Sequence, residues 1–130
     1  MTQEEKELIW KDLCARFPYG VRIKRTNCPI TLSVTGIVGK YIRHIPFYIG
    51  GNIEINTSII EEIKPYLRPM SSMTEEEYKE WRYLYLPLPH DNEATETQRR
   101  IDWLNAHHFD YRGLIEKGLA LEAPEDMYKN

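Results

Sequence analysis

A chain of 130 residues, 42% apolar and 28% charged, is long enough for one folded core and too apolar for wholesale disorder. Its two cysteines, Cys14 and Cys28, stand in no zinc-ligand spacing, and no apolar run approaches the ~20 residues of a membrane span. The net charge of −3 conceals an uneven distribution: Leu13 to Ile53 holds six bases and no acid, whereas residues 71–130 carry thirteen acids against seven bases.

The N-terminal MTQEEKELIWKD is acidic, without the basic segment and apolar stretch of a signal peptide. Reducing cytoplasm is therefore the expected compartment, and a Cys14–Cys28 disulfide is not expected. Thr2 and Glu5 have the spacing of a capping box, and Ile9, Trp10, Leu13, Cys14 and Phe17 recur on one helical face. The pattern predicts a helix over residues 3–17 with Cys14 as a small buried apolar group. Pro18 and Gly20 end it.

A β-rich stretch follows. Val21 to Arg25 alternates apolar and basic residues, and Ile30 to Thr35 alternates apolar residues and hydroxyls. Gly36 and Gly39 mark a turn or bulge. Tyr41 to Ile49 is a third strand, with Pro46 expected to make its centre an edge or a bulge. Gly50-Gly51-Asn52 predicts a hairpin turn and Asn52 to Asn56 a short fourth strand. Ser58 and Glu61 suggest a short helical turn. Pro65 and Pro69, bracketing Tyr66-Leu67-Arg68, suggest an extended connector.

Two overlapping capping boxes, Ser72/Glu75 and Thr74/Glu77, announce a helix over 74–83 that should bury Tyr78, Trp81 and Tyr85. Leu86 to Asn92 reads as a loop. Thr95 and Gln98 open a further helix carrying Ile101, Leu104 and His108 on one face. Asp110 is an N-cap for a last short helix through Lys117, with Gly118 beyond its end, and Leu119 to Glu122 alternates as a strand would.

The fold class expected is α+β in one domain spanning 1–130. An N-terminal helix lies on a small, mainly antiparallel sheet that could curl into an open barrel (1–70), and a section of two or three helices follows (71–130).

His107, His108 and Asp110 are the nearest approach to a ligand cluster. Adjacent helical residues point about 100° apart, so both histidines cannot serve one site, and capping and packing roles account for all three. No G-x-S-x-G, HExxH or P-loop spacing occurs. Catalytic residues, a metal and a cofactor are accordingly not expected, and the protein is read as a non-enzyme. The alternating basic strands are the sharper functional feature. Arg22, Lys24, Arg25, Lys40 and Arg43, with tyrosines nearby, form a candidate nucleic-acid surface. A solvated strand face, or attraction to the acidic second half, would explain the same bases.

Three blocks, Leu13 to Val21, Ile63 to Glu77 and Trp103 to Tyr128, resemble a family of short uncharacterised proteins of prophages and mobile elements of gut Bacteroidota. The resemblance implies a shared fold and a phage-related setting, and no activity or site residue. It makes an accessory protein with an unidentified protein partner the leading expectation and nucleic-acid binding the alternative. Oligomeric state is open, and no membrane association is expected.

Overall fold

The computed structural model describes residues 1–46, 56–84 and 93–128. Helix α1 spans Gln3–Arg16 and is entered through the capping box: Glu5 N–H donates to Thr2 Oγ1 at 3.1 Å, and Thr2 N–H donates to Glu5 Oε1 at 2.9 Å. Residues 17–19 tighten into a 3-10 turn around Pro18, and Gly20 reverses the chain at φ +76°, a conformation open to glycine without strain.

Among the described residues six strands follow: β1 Arg22–Arg25, β2 Leu32–Val38, β3 Tyr41–Pro46, β4 Asn56–Ser58, β5 Ile63–Leu67 and β6 Leu121–Glu122. Their order is β4-β3-β2-β1-β5-β6, antiparallel except for the parallel β5–β6 pair. Gly39, at φ +58°, turns β2 into β3, and the register shifts between Val34 and Gly36 as a bulge.

Only residues 59–62 join β4 to β5, although β3, β2 and β1 lie between those strands in the pairing order. A flat sheet would separate them by about 19 Å at ~4.8 Å per strand, beyond the ~17 Å reach of so short a link even when extended. Three of its residues are coiled in a 3-10 turn, Ile60–Glu62, which shortens it further. The open sheet is therefore strongly curved, with the core on its inner side.

Alternation places Val21 and Ile23, Leu32 and Val34, Ile42, and Ile63 and Leu67 on that inner side, where Ile9 and Leu13 of α1 meet them. Leu114, Leu119 and Ala120 complete the same core from the C-terminal segment. Helices α2 (Glu75–Tyr83) and α3 (Glu93–Ala106) lie between β5 and β6 in the chain. α2 carries the Thr74/Glu77 capping box. No helix of the described residues is long and apolar enough to cross a membrane.

Several expectations are corrected. The segment read as a connector is strand β5, with Pro65 opposite Ile23. Thr26 N–H donates to the Glu62 carbonyl, so by antiparallel alternation the Ile23–Pro65 pair is not a hydrogen-bonded one and the Pro65 nitrogen faces away from β1. Strand β6 joins only at Tyr66 and Leu67, so the proline breaks no ladder bond. Pro46 sits at the end of an interior strand, opposite Leu32, and the bulge lies in β2. The expected helix from Asp110 to Lys117 is a series of turns, leaving two later helices among the described residues. Ser72 takes no part in capping; its hydroxyl donates to the Pro69 carbonyl at 2.7 Å within a 3-10 turn.

Burial differs too. Cys14 is exposed, and the buried stripe of α1 is Ile9, Asp12, Leu13 and Arg16. No residue of α2 is buried, and Tyr78 is nearly half exposed. Both cysteines are free. Tyr85, the turn at Gly50-Gly51-Asn52, the end of the third predicted strand at 47–49, the loop at 86–92 and most of the fourth predicted strand lie outside the described residues.

Candidate nucleic-acid interface

Strand β1 turns Ile23 inward, so Arg22 and Lys24 project from the outer side of the sheet. The pairing Ile23↔Pro65 and Lys24↔Lys64 puts Lys64 directly across from Lys24, and both lysines are exposed. Like charges facing each other across an antiparallel pair destabilise it. Among the residues of the six strands the only acid is Glu122, which pairs with Leu67 on the inner register. No carboxylate of these strands offsets the two lysines.

A hollow of about 260 Å³ opens beside them, lined by Lys24, Arg25, Thr26, Asn27, Lys64 and Leu121. Three bases and no acid line it. Asn27 holds its turn at φ +62°, a conformation that asparagine tolerates, and Thr26 Oγ1 donates to the Glu62 carbonyl at 3.1 Å.

The five predicted bases are only partly gathered. Arg22, Lys24 and Arg43 share the outer face, Arg43 two strands away from β1 and next to Gly36. Arg25 has the inner register at the end of its strand and pairs with Glu62 at 3.5 Å. Lys40 sits in the β2–β3 turn with its Nζ 5.5 Å from the centre of the Tyr41 ring. Arg16, counted among the bases of the acid-free stretch, is wholly buried against Asp12. Lys64 is not among the five predicted bases; it immediately precedes Pro65, where the connector expected between Pro65 and Pro69 begins. The alternation of Ile63, Pro65 and Leu67 with Lys64 and Tyr66 was the available signal.

A second, larger cavity of about 620 Å³ lies at the Arg22 end of β1. It is bounded by the 17–20 turn, the start of α2, the end of α3 and the C-terminal segment. His107 and His108 both line it, yet in different ways. His107 presents Nδ1 to the Trp103 carbonyl at 2.9 Å, so that nitrogen carries the proton. Its ring stacks on Trp103 at 4.0 Å, and Trp103 stacks in turn on Phe109 at 5.8 Å.

His108 sits past the end of α3 at φ +59° and donates from Nε2 to the Tyr19 carbonyl at 3.0 Å. Its Nδ1 is buried without a partner among the described residues. Burial, with the Arg16 charge adding to it, pushes its pKa down to about 3, so the ring is neutral near pH 7. Tyr128 stacks on it at 3.9 Å, and the Arg22 guanidinium lies 5.2 Å from the centre of the Tyr128 ring. The Tyr128 hydroxyl accepts from Arg22 N–H at 2.9 Å and donates to the Tyr66 carbonyl at 2.7 Å. Burial raises its pKa well above the usual phenol value.

On the cavity's other wall Arg68 makes a two-pronged pair with Glu77, at 2.7 and 2.6 Å. This holds the Glu77 carboxyl down to about 2. Asp110 does not face the histidines: its two oxygens accept from Leu114 N–H and Ile115 N–H at 2.8 and 2.9 Å. No group of three or more metal-ligating side chains is assembled among the described residues. Comparison with protein-family models, curated proteins and solved structures finds no match.

Proposed function

We propose that this protein is an accessory nucleic-acid-binding module and that the outer face of β1 and β5 carries the contact. The observation behind this reading is the opposition of Lys24 and Lys64 beside a hollow without acids. Like charges directly opposite each other weaken a strand pair, and a phosphate bound between the two lysines would relieve that repulsion. The exposed Tyr41 and half-buried Tyr66 add aromatic surface on the same face, as single-strand binders use. The setting we propose is cytoplasmic and phage- or mobile-element-related, with which the sequence resemblance agrees.

The test is fluorescence anisotropy with a labelled single strand, titrated with salt. Affinity should fall as salt rises, and removing both lysines (Lys24→Ala with Lys64→Ala) should reduce the slope of log K against log[salt] by about 1.4, at ~0.7 per phosphate contact. An unchanged slope, or no binding at low salt, rejects the reading.

A protein partner is the second reading, supported by α2. None of its nine residues is buried, and Tyr78 and Tyr83 are 48% and 68% exposed. Aromatic side chains of this kind are enriched at protein interfaces. Replacing both with serine should abolish capture of such a partner from the host without altering strand binding.

A further inference from the structure

The two hollows differ in charge. The one beside Lys24 and Lys64 is wholly basic, whereas the 620 Å³ cavity balances Arg22 and Arg68 against Glu77 and Glu125, with His108 neutral. A balanced, polar cavity of this size suits an uncharged ligand with hydrogen-bonding edges, not a bare phosphate. Its wall is also aromatic. Phe109, Trp103 and His107 form a consecutive stack, and His107, whose ring lies against Trp103, lines the cavity. Tyr19 lines the same space.

Position links the two hollows. Arg22 lines the cavity and Lys24 the basic hollow, and the two share one face of β1, about 7 Å apart along the strand. A nucleic-acid strand carries the matching pair of chemistries at adjacent points: an anionic phosphate and a neutral, flat, hydrogen-bonding base.

We infer that the cavity between the end of α3 and β1 is the seat of one unstacked nucleobase, which extends the Phe109–Trp103–His107 stack while the adjoining phosphate lies against Lys24 and Lys64. The inference rests on the nucleic-acid reading above and adds to it a base-dependent site. It also separates this protein from a purely electrostatic binder, because part of the affinity then survives salt. Arg68, fixed by Glu77, holds the wall of the seat in place.

The experiment compares a single-stranded DNA of about ten nucleotides with a strand of equal length and charge built from abasic sites, a length within the usual site size of single-strand binders. Anisotropy should show the intact strand binding about tenfold more tightly, as expected for one stacked base. In His107→Ala the ratio of the two affinities should fall to about one, and in His107→Phe, which keeps a flat ring, it should be retained; thermal melting checks that both variants are folded. Equal affinities of the unaltered protein for both strands overturn the base seat and leave the phosphate reading standing. So does a ratio insensitive to His107→Ala in a folded variant. Failure of both strands to bind at low salt overturns the two together.

Discussion

Arg112 Nη1 lies 2.9 Å from Asp12 Oδ1, a contact that spans one hundred residues of chain and ties the C-terminal turns to α1. The other oxygen, Oδ2, accepts from Arg16 Nε at 2.9 Å, and Arg16 donates onward to the Phe109 carbonyl. Both guanidiniums also lie against the Tyr111 ring, at 5.4 and 4.6 Å from its centre. Asp12 and Arg16 are fully buried. Buried ions are tolerated only when paired, so this one carboxylate holds two cations and two chain segments, α1 and residues 109–112, together.

Replacing Asp12 with alanine should therefore cost about 3–5 kcal/mol, because Arg16 is left charged and uncompensated in the core. Arg112→Met, at a partly exposed position that leaves the Asp12–Arg16 pair intact, should cost about 1 kcal/mol. Urea unfolding of the two variants measures both. A loss below about 1 kcal/mol for Asp12→Ala would show that the cluster does not hold the fold.

His108 should make the fold acid-sensitive. Its folded pKa of about 3 lies below the ordinary 6.5, so the unfolded chain binds the proton more readily. Stability is full above pH 6.5 and falls as pH drops towards 3, by about 2 kcal/mol at pH ~5. Arg16, Arg22 and His107 all disfavour the added charge. His108→Gln should flatten the stability curve over this window; an unchanged slope would place the sensitivity elsewhere.

The Arg68–Glu77 pair acts at lower pH. Glu77 titrates near 2 in place of 4.5, so its contribution is present above 4.5 and lost as pH falls towards 2. Both partners are mostly buried and the geometry is two-pronged, which puts Glu77→Gln at a cost of about 2 kcal/mol near neutrality. A double-mutant cycle with Arg68→Met should recover most of that energy as coupling, whereas additivity would mean that the pair contributes little.

Lys64 should show opposed effects on stability and binding. Lys64→Glu converts a repulsive cross-strand pair with Lys24 into an attractive one, raising stability by a few tenths of a kcal/mol. The same change should abolish single-strand binding. If Lys64→Glu destabilises the protein, the opposition of the two lysines is not under strain.

Local signals in the chain were legible where the physics is local. The capping boxes at Thr2/Glu5 and Thr74/Glu77 formed as expected, because each closes within one turn. Alternation in β1 and β2 set their inner and outer faces. Leu121–Glu122 did add a strand. Of the candidate interface, the alternation placed Arg22 and Lys24 on one outer face, while Lys64 was hidden by Pro65. A proline argues against a strand only where its missing donor is needed, and that depends on whether a neighbour lies on that side.

By itself the sequence determined the α+β class, the N-terminal helix, the basic character of the first strands and the starts of α1 and α2. Each follows from side chains within a few residues of one another. The start of α3 was not among them, since that helix begins at Glu93, ahead of the expected Thr95. Tertiary structure decided the rest. It buried Asp12 and Arg16 and exposed Cys14 on the same helix, because Phe109 and Arg112 arrive from about a hundred residues away to pair with them. It set Lys64 across from Lys24, and it brought Arg22, His107 and Tyr128 around one cavity. Strand pairing and chain return are set by burial summed over the whole core, and no short window of sequence contains that sum.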